Sequence, residues 1–156
     1  EATKKLADKH SFRLTLIGGG DLEQMLTSFV SNNNLSDTVR LLGWQSQHIV
    51  KEYLGQADVF ILPSKAEGFP NAMLEAMGTG LPVIASNVGA ISDSLIDKLN
   101  GFLITSSSAD EIESAMEAYI LDPQLIETHS IDTVKRVKAM HDYELNCRKL
   151  FSTFDR

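Results

Sequence analysis

The strongest constraint on the fold is the run Ala57–Leu62, ADVFIL, ended by Pro63. It is too short for a helix of ordinary length and almost continuously apolar. Such a run suits a strand inside a parallel sheet, where helices cover both faces. A second apolar run, Val83–Ala85, follows the stretch Ser64–Pro82, SKAEGFPNAMLEAMGTGLP. Between the two runs lie a loop, a short helical pattern and a stop bounded by Gly and Pro. That is the sequence of a strand, a crossover helix and a parallel strand.

The same alternation runs along the chain. Phe12–Ile17, Val39–Leu42 and Gly101–Ile104 are further strand candidates. Leu22, Met25, Leu26, Phe29 and Val30 recur at helical spacing, and Asp21 with Gln24 resembles a capping box. Ser46 starts a short helix carrying Ile49, Val50, Tyr53 and Leu54. Asn87–Asp93 is a loop that turns helical toward Ile96. Ser106–Ala109 leads into a helix with Ile112, Ala115, Met116, Tyr119 and Ile120 on one stripe. Pro123 separates it from a terminal helix whose stripe holds Ile131, Val134, Val137, Met140, Tyr143, Cys147, Leu150 and Phe154; His129 and His141 lie off that stripe and read as surface. The expected fold is α/β, a Rossmann-like parallel sheet with helices on both faces, and residues 1–156 form one domain. Ligands of such folds bind at the carboxyl ends of the strands.

Composition narrows the function. The formal net charge of −7 disfavours nucleic acid as a partner, because a phosphate backbone demands positive surface. One cysteine, Cys147, supplies neither a disulfide framework nor a metal cluster and fits a reducing compartment. On its helical stripe it reads as core. No run approaches a membrane span. The opening EATKKLADKH reads as the tail of an amphipathic helix, with Ala2, Leu6 and Ala7 on one side. It is therefore expected to be an excised piece of a longer chain.

Two places follow strand candidates directly and belong at the ligand edge. Gly18, Gly19 and Gly20 lie between a strand and a helix start, which allows close backbone approach to a phosphate. A flexible turn explains the same residues, and the spacing lacks the dinucleotide fingerprint. In the central stretch, Pro70 suits the first helical position, with Asn71 as N-cap the alternative. Either way the amides near Gly68, Phe69, Pro70, Asn71 and Ala72 suit a phosphate or diphosphate. Glu67 and Glu75 flank those amides. Carboxylates repel phosphate but accept charge-assisted hydrogen bonds from vicinal hydroxyls. The pair therefore suits a ligand with sugar, diphosphate and ribose in sequence, or else a solvated loop acid and an acid near a helix N-terminus. Trp44, beside Leu42 and Gly43, reads as core or rim packing, with pocket lining the alternative. His48 reads as a surface residue.

These residues resemble a known family. The glycines at Gly18–Gly20, LLG at Leu41–Gly43, ADVFILPSKAEGFPNAMLEAMGTGLPVIAS at Ala57–Ser86 and NVGAISD at Asn87–Asp93 are similar to the C-terminal domain of retaining GT-B glycosyltransferases, glycosyl transferases group 1. The most specific signal is Glu67 and Glu75 as E-x7-E inside EGFPNAMLEAM. The resemblance implies an incomplete C-terminal half of a GT-B fold, with a nucleotide-sugar donor as ligand. It implies that Glu67 contacts the transferred sugar near the reaction centre and is the catalytic candidate, positioning the donor and stabilising charge rather than acting as a covalent nucleophile. It implies that Glu75 holds ribose hydroxyls, that Gly68, Phe69, Pro70 and Asn71 lie near diphosphate or sugar, that Gly18, Gly19 and Gly20 lie near the donor, and that Leu42, Gly43 and Trp44 border the base. Transfer with retention is expected to need no metal and no cofactor.

Two departures qualify the resemblance. The family often reads G-G-x-P-E after the strand that ends GLPV; here the residues are Gly89, Ala90, Ile91, Ser92 and Asp93. An Arg and a Lys on the domain's first strand normally neutralise the diphosphate. Lys4, Lys5 and Lys9 do not match them, so that strand and the N-terminal acceptor domain are expected to precede Glu1. The isolated 156 residues are then expected to be inactive in transfer. The full-length protein is expected in the cytoplasm or peripheral to the inner face of a membrane, with its acceptor unknown. A nucleotide-sugar epimerase or hydrolase, and a non-catalytic nucleotide-binding or interaction module, are the competing readings.

Overall fold

A computed structural model describes residues 1–105 and 108–141. The order of elements is α1 (Ala2–Ala7), β1 (Leu14–Leu16), α2 (Glu23–Asn32), β2 (Val39–Leu41), α3 (Gln47–Leu54), β3 (Phe60–Leu62), α4 (Asn71–Gly78), β4 (Val83–Ser86), α5 (Ile91–Ser94), β5 (Gly101–Ile104), α6 (Ala109–Leu121) and α7 (Pro123–His141). All strand pairings between these elements are parallel, as the α/β alternation requires. They form two groups, β1 beside β2 and β3–β4–β5 with β4 in the middle. Ile61 pairs with Ile84, and Ile84 with Phe102.

β4 explains the two-faced core. All four of its residues are buried, and their side chains alternate across the sheet. Ile84 packs with Leu6, Ile104, Ala115, Met116 and Tyr119 on the side of α1 and α6. Val83 and Ala85 pack with Met73, Met77, Ile91 and Leu95 on the side of α4 and α5. Burying a side chain such as Ile84 contributes about 1.5–3 kcal/mol. Leu54 of α3 meets Ala76 of α4 and Leu81, which ties the β1–β2 half to the helix that follows β3. At the start of β5 a Cβ on Gly101, at φ +154°, would overlap the Val83 carbonyl oxygen and sit 2.8 Å from Leu95 Cδ1. Only glycine lets β5 lie this close to β4.

Several sequence expectations are corrected. α2 forms, but Leu22, not Asp21, is its N-cap, and no side-chain cap is made. Its apolar stripe is not a core stripe either: Leu22, Met25 and Leu26 are exposed, while Phe29 and Val30 are half-buried. α7 begins at Pro123, and the expected stripe is inward only in part: Val134 and Val137 are half-buried, Val137 against the cluster of Met73 and Met77, while Met140 is exposed. His129 and Thr133 are buried and Ile131 is exposed. Polar partners join the apolar contacts of Leu125, Ile126 and Val137 on the inward face. His129 Nδ1 meets the Tyr119 hydroxyl at 2.7 Å, and Thr133 donates to the Asn100 carbonyl at 3.1 Å. His129 is thus an interior residue. Cys147 and the stripe beyond Met140 lie outside the described residues, as does the side chain of His141.

Candidate donor site

The residues singled out in the sequence gather in two groups. The first lies after β1 and β2. Gly18 donates its amide to the Gly43 carbonyl at 2.8 Å, forming an antiparallel bridge that draws Gly18–Gly20 against Leu42, Gly43 and Trp44. The Trp44 indole lies against Gly19: a Cβ there would meet its Cδ1 and Nε1 at 3.0 Å, and Glu23 Oε2 at 3.4 Å. Trp44 is otherwise 82% exposed, so the core placement is wrong; it stands on the rim with a free aromatic face. An open depression borders this group, lined by Gly20, Asp21, Glu23, Gln24, Thr27 and Ser28. It contains none of the central-stretch residues.

The second group follows β3. Pro70 is buried and serves as the N-cap of α4, so the helix begins one residue later than the Pro70-first reading and Asn71 is its first residue. Pro70 has no side-chain oxygen to offer, and no side-chain cap is made. The Asn71 amide is engaged locally with the Phe69 carbonyl at 2.9 Å, and the Leu74 amide with that of Pro70 at 3.0 Å. That leaves Ala72 and Met73 to present first-turn amides, the usual anion-facing donors of a helix start. Gly68 is exposed with nothing near its Cβ position, and Phe69 is 59% exposed.

Glu67 is half-buried, and Ser64 donates to its Oε1 at 2.9 Å. Glu75 is exposed on α4, about one turn past the helix start. Met73, Ala76 and Met77 are fully buried beneath it and fix the outward face of the helix. The arrangement offers two carboxylates for hydroxyl groups, with helix-start amides between them. Lys5 and Lys9 are engaged elsewhere, with Asp110, Glu113 and Glu117 of α6. The hydrogen bond to Asp110 raises the Lys5 pKa above its ordinary value, and the bond from Lys5 lowers those of Asp110 and Glu113. Among the described residues no group of three or more His, Cys, Asp or Glu could hold a metal ion. No helix among them is long and apolar enough to cross a membrane.

Two contributors were not singled out from the sequence. Ser64 bounds the central stretch, and its spacing of three from Glu67 was the available signal. Gly89 stood only as part of a departing motif. In the structure it has φ +57° and lies directly against the Glu67 backbone. Ala90, where the family often has a second glycine, has φ −87° and needs none.

Residues 1–136 match the family described as glycosyl transferases group 1. The chain belongs to that family. Among its relatives is the amylovoran biosynthesis glycosyltransferase AmsK of Erwinia amylovora, 34% identical over 141 residues, which cover 86% of this chain and 34% of AmsK. The putative colanic acid biosynthesis glycosyltransferase WcaL of Escherichia coli is 29% identical over 153 residues, 94% of this chain and 37% of WcaL. This chain thus spans about a third of the length of these relatives. Its fold matches the crystal structure of the C-terminal domain of the group 1 glycosyl transferase LpcC of Francisella tularensis. The TM-score is 0.82 at 22% identity, over 90% of this chain and 75% of that one. The Rossmann-like α/β reading and the C-terminal GT-B assignment therefore hold.

Proposed function

We propose that these residues are the donor-binding part of a glycosyltransferase that moves a sugar from a nucleotide-sugar to an acceptor with retention of configuration. The observation that carries the reading is the placement of Glu67 and Glu75 around the start of α4, at the carboxyl end of β3. Glu67 would accept hydrogen bonds from hydroxyls of the transferred sugar and stabilise developing positive charge at its anomeric carbon. Glu75 would accept from ribose hydroxyls, the first-turn amides would face the diphosphate, and Trp44 with Leu42 and Gly43 would border the base. No protein-held metal or cofactor enters this scheme. A solved relative in fold, HepE of Anabaena, is described in complex with UDP and glucose; its TM-score is 0.85 at 21% identity over 99% of this chain. That supports a nucleotide-sugar as the donor class.

Among the described residues, β1 and β3 each pair with a strand on one side only. We infer that they are neighbours of one further strand, which joins the two groups into a single sheet. The full-length protein would then carry that strand, cationic groups for the diphosphate, and an acceptor domain. It would work in the cytoplasm or at the inner face of a membrane.

The test is donor consumption by the full-length protein and its Glu67→Gln variant, with products identified. Glu67→Gln should lower kcat by roughly 10²–10³-fold, as loss of a charge-stabilising group does. An unchanged rate at saturating donor and acceptor would remove Glu67 from the mechanism. Conversion of donor without an acceptor product would favour the epimerase or hydrolase reading, and binding without turnover the non-catalytic module. Multiple-turnover transfer by the 156-residue chain alone would overturn its proposed inactivity.

A further inference from the structure

The loop that carries Glu67 is held from two directions. Within the loop, the Ser64 hydroxyl donates to Glu67 Oε1 at 2.9 Å and fixes one carboxylate oxygen, leaving the other for a ligand. From outside, the turn between β4 and α5 presses on the Glu67 main chain. A Cβ added at Gly89 would overlap the Glu67 carbonyl oxygen, lie 2.8 Å from its carbonyl carbon and 3.4 Å from its Cβ. The φ of +57° at Gly89 aims the missing side chain at that backbone. Gly89 is exposed on its other side, so interior packing does not account for the glycine. A side chain here could be accommodated only by moving the backbone of Glu67.

We propose that Gly89 and Ser64 are positioning residues for Glu67, Gly89 setting where its main chain lies and Ser64 how its carboxylate is turned. The proposal rests on the reading of Glu67 as a sugar-facing carboxylate. It gives the β4–α5 turn a role in transfer that is exerted on the Glu67 main chain by the absence of a side chain at Gly89. It also explains why the turn tolerates Ala90. The close approach occurs at Gly89 alone, so the residue after it needs no positive φ.

The experiment is a set of double-mutant cycles in the full-length protein, read as kcat/KM for the nucleotide-sugar. Gly89→Ala should lower kcat/KM by about 10²-fold, the scale for a reacting group displaced by about an ångström. Gly89→Asn should not restore it. Asn tolerates a positive φ but still carries the Cβ that overlaps Glu67. Ser64→Ala should cost roughly tenfold, the loss of one hydrogen bond to a charged group, and Ser64→Thr should recover most of it. In the Glu67→Gln background both losses should vanish, because the group being positioned is already disabled. Gly80→Ala is the control. Gly80 also has a positive φ of +88° but lies beyond α4 against Ser130 and Val134, so its substitution should lower stability without changing kcat/KM. Losses that persist in the Glu67→Gln background, or a Gly89→Ala enzyme with normal kcat/KM, would overturn the proposal. Should Gly89→Ala fail to fold, the Ser64 cycle decides by the same criterion. A Glu67→Gln enzyme with unchanged kcat/KM would instead bring down the reading of Glu67 and the proposal with it.

Discussion

Tyr119 on α6 and His129 on α7 meet inside the protein, hydroxyl to Nδ1 at 2.7 Å, with Phe102 of β5 edge-on to both rings. This contact joins α6 to α7 through two titratable side chains. Burial lowers the His129 pKa below its ordinary value, opposed by a bond with the Lys98 backbone and by the charges of Asp132 and Asp97. Burial raises that of Tyr119. A histidine that is easier to protonate unfolded than folded makes the unfolded chain bind more protons. Stability should therefore be unaffected by His129 above about pH 6.5 and fall as the pH drops below it. Urea unfolding at pH 5.5 and 7.5 checks this: His129→Gln should flatten the difference. An equal slope in the variant would exclude His129 as its source. Tyr119→Phe, which leaves a buried nitrogen unpaired, should cost about 1–3 kcal/mol at neutral pH.

The two carboxylates are separable by ligand. If Glu75 holds ribose and Glu67 the transferred sugar, Glu75→Gln should weaken binding of both a nucleoside diphosphate and its sugar conjugate, by roughly tenfold or more. Glu67→Gln should weaken only the conjugate. Calorimetric titration of the full-length protein with UDP and with UDP-glucose distinguishes them. Loss of UDP binding in Glu67→Gln would contradict the assignment.

The glycine that opens β5 should be indispensable. Gly101→Ala forces a Cβ into the Val83 carbonyl, a main-chain group of the central strand. Loss of several kcal/mol is expected, at or above the roughly 4–5 kcal/mol that marks exceptional substitutions. Thermal unfolding would show it. A shift in Tm of only a degree or two would mean that the strand ends can separate freely.

α1 is attached by both charge and packing, and packing should dominate. Leu6 is fully buried in the core of α6 and β4, and Leu6→Ala should cost about 2–5 kcal/mol. Lys5→Ala removes ion pairs to an exposed Asp110 and a half-buried Glu113, and its effect should be small in about 0.5 M salt, where pairs at the surface are screened. Chemical denaturation of the two variants at low and high salt gives the comparison. A larger loss for Lys5→Ala than for Leu6→Ala would reverse the ranking.

Much of the framework was legible because short apolar runs and helical repeats report burial directly. Val83–Ala85 could be read as an interior strand from its composition, and the helix start at Ser46 from its position ahead of an apolar repeat; both are found, and Ser46 proves to be the N-cap, its Oγ accepting from the Ile49 amide at 3.4 Å. Reading failed where a polar partner or an exposed surface overrode hydrophobicity. His129 is inside because Tyr119 satisfies it, and the repeat that included Ile131 could not show this. Leu22 and Met25 follow a helical period yet lie in solvent, since period marks a face without saying what covers it. At the candidate site, Glu67 and Glu75 were visible as residues. What holds Glu67 was not, because Gly89 lies in a different loop and acts through the absence of a side chain.

By itself the sequence determined the α/β alternation, the family, and the chemical character of the stretch from Ser64 to Pro82. Those properties are local: strand hydrophobicity, helix-start chemistry and motif spacing are all carried by neighbouring residues. Tertiary structure alone decided that the strands pair in two groups, that Trp44 stands exposed against Gly19, that His129 is interior, and that the turn at Gly89 meets the main chain of Glu67. Each depends on a contact between residues distant in the chain, and the packing of separate elements, not the order of residues, sets where such contacts fall.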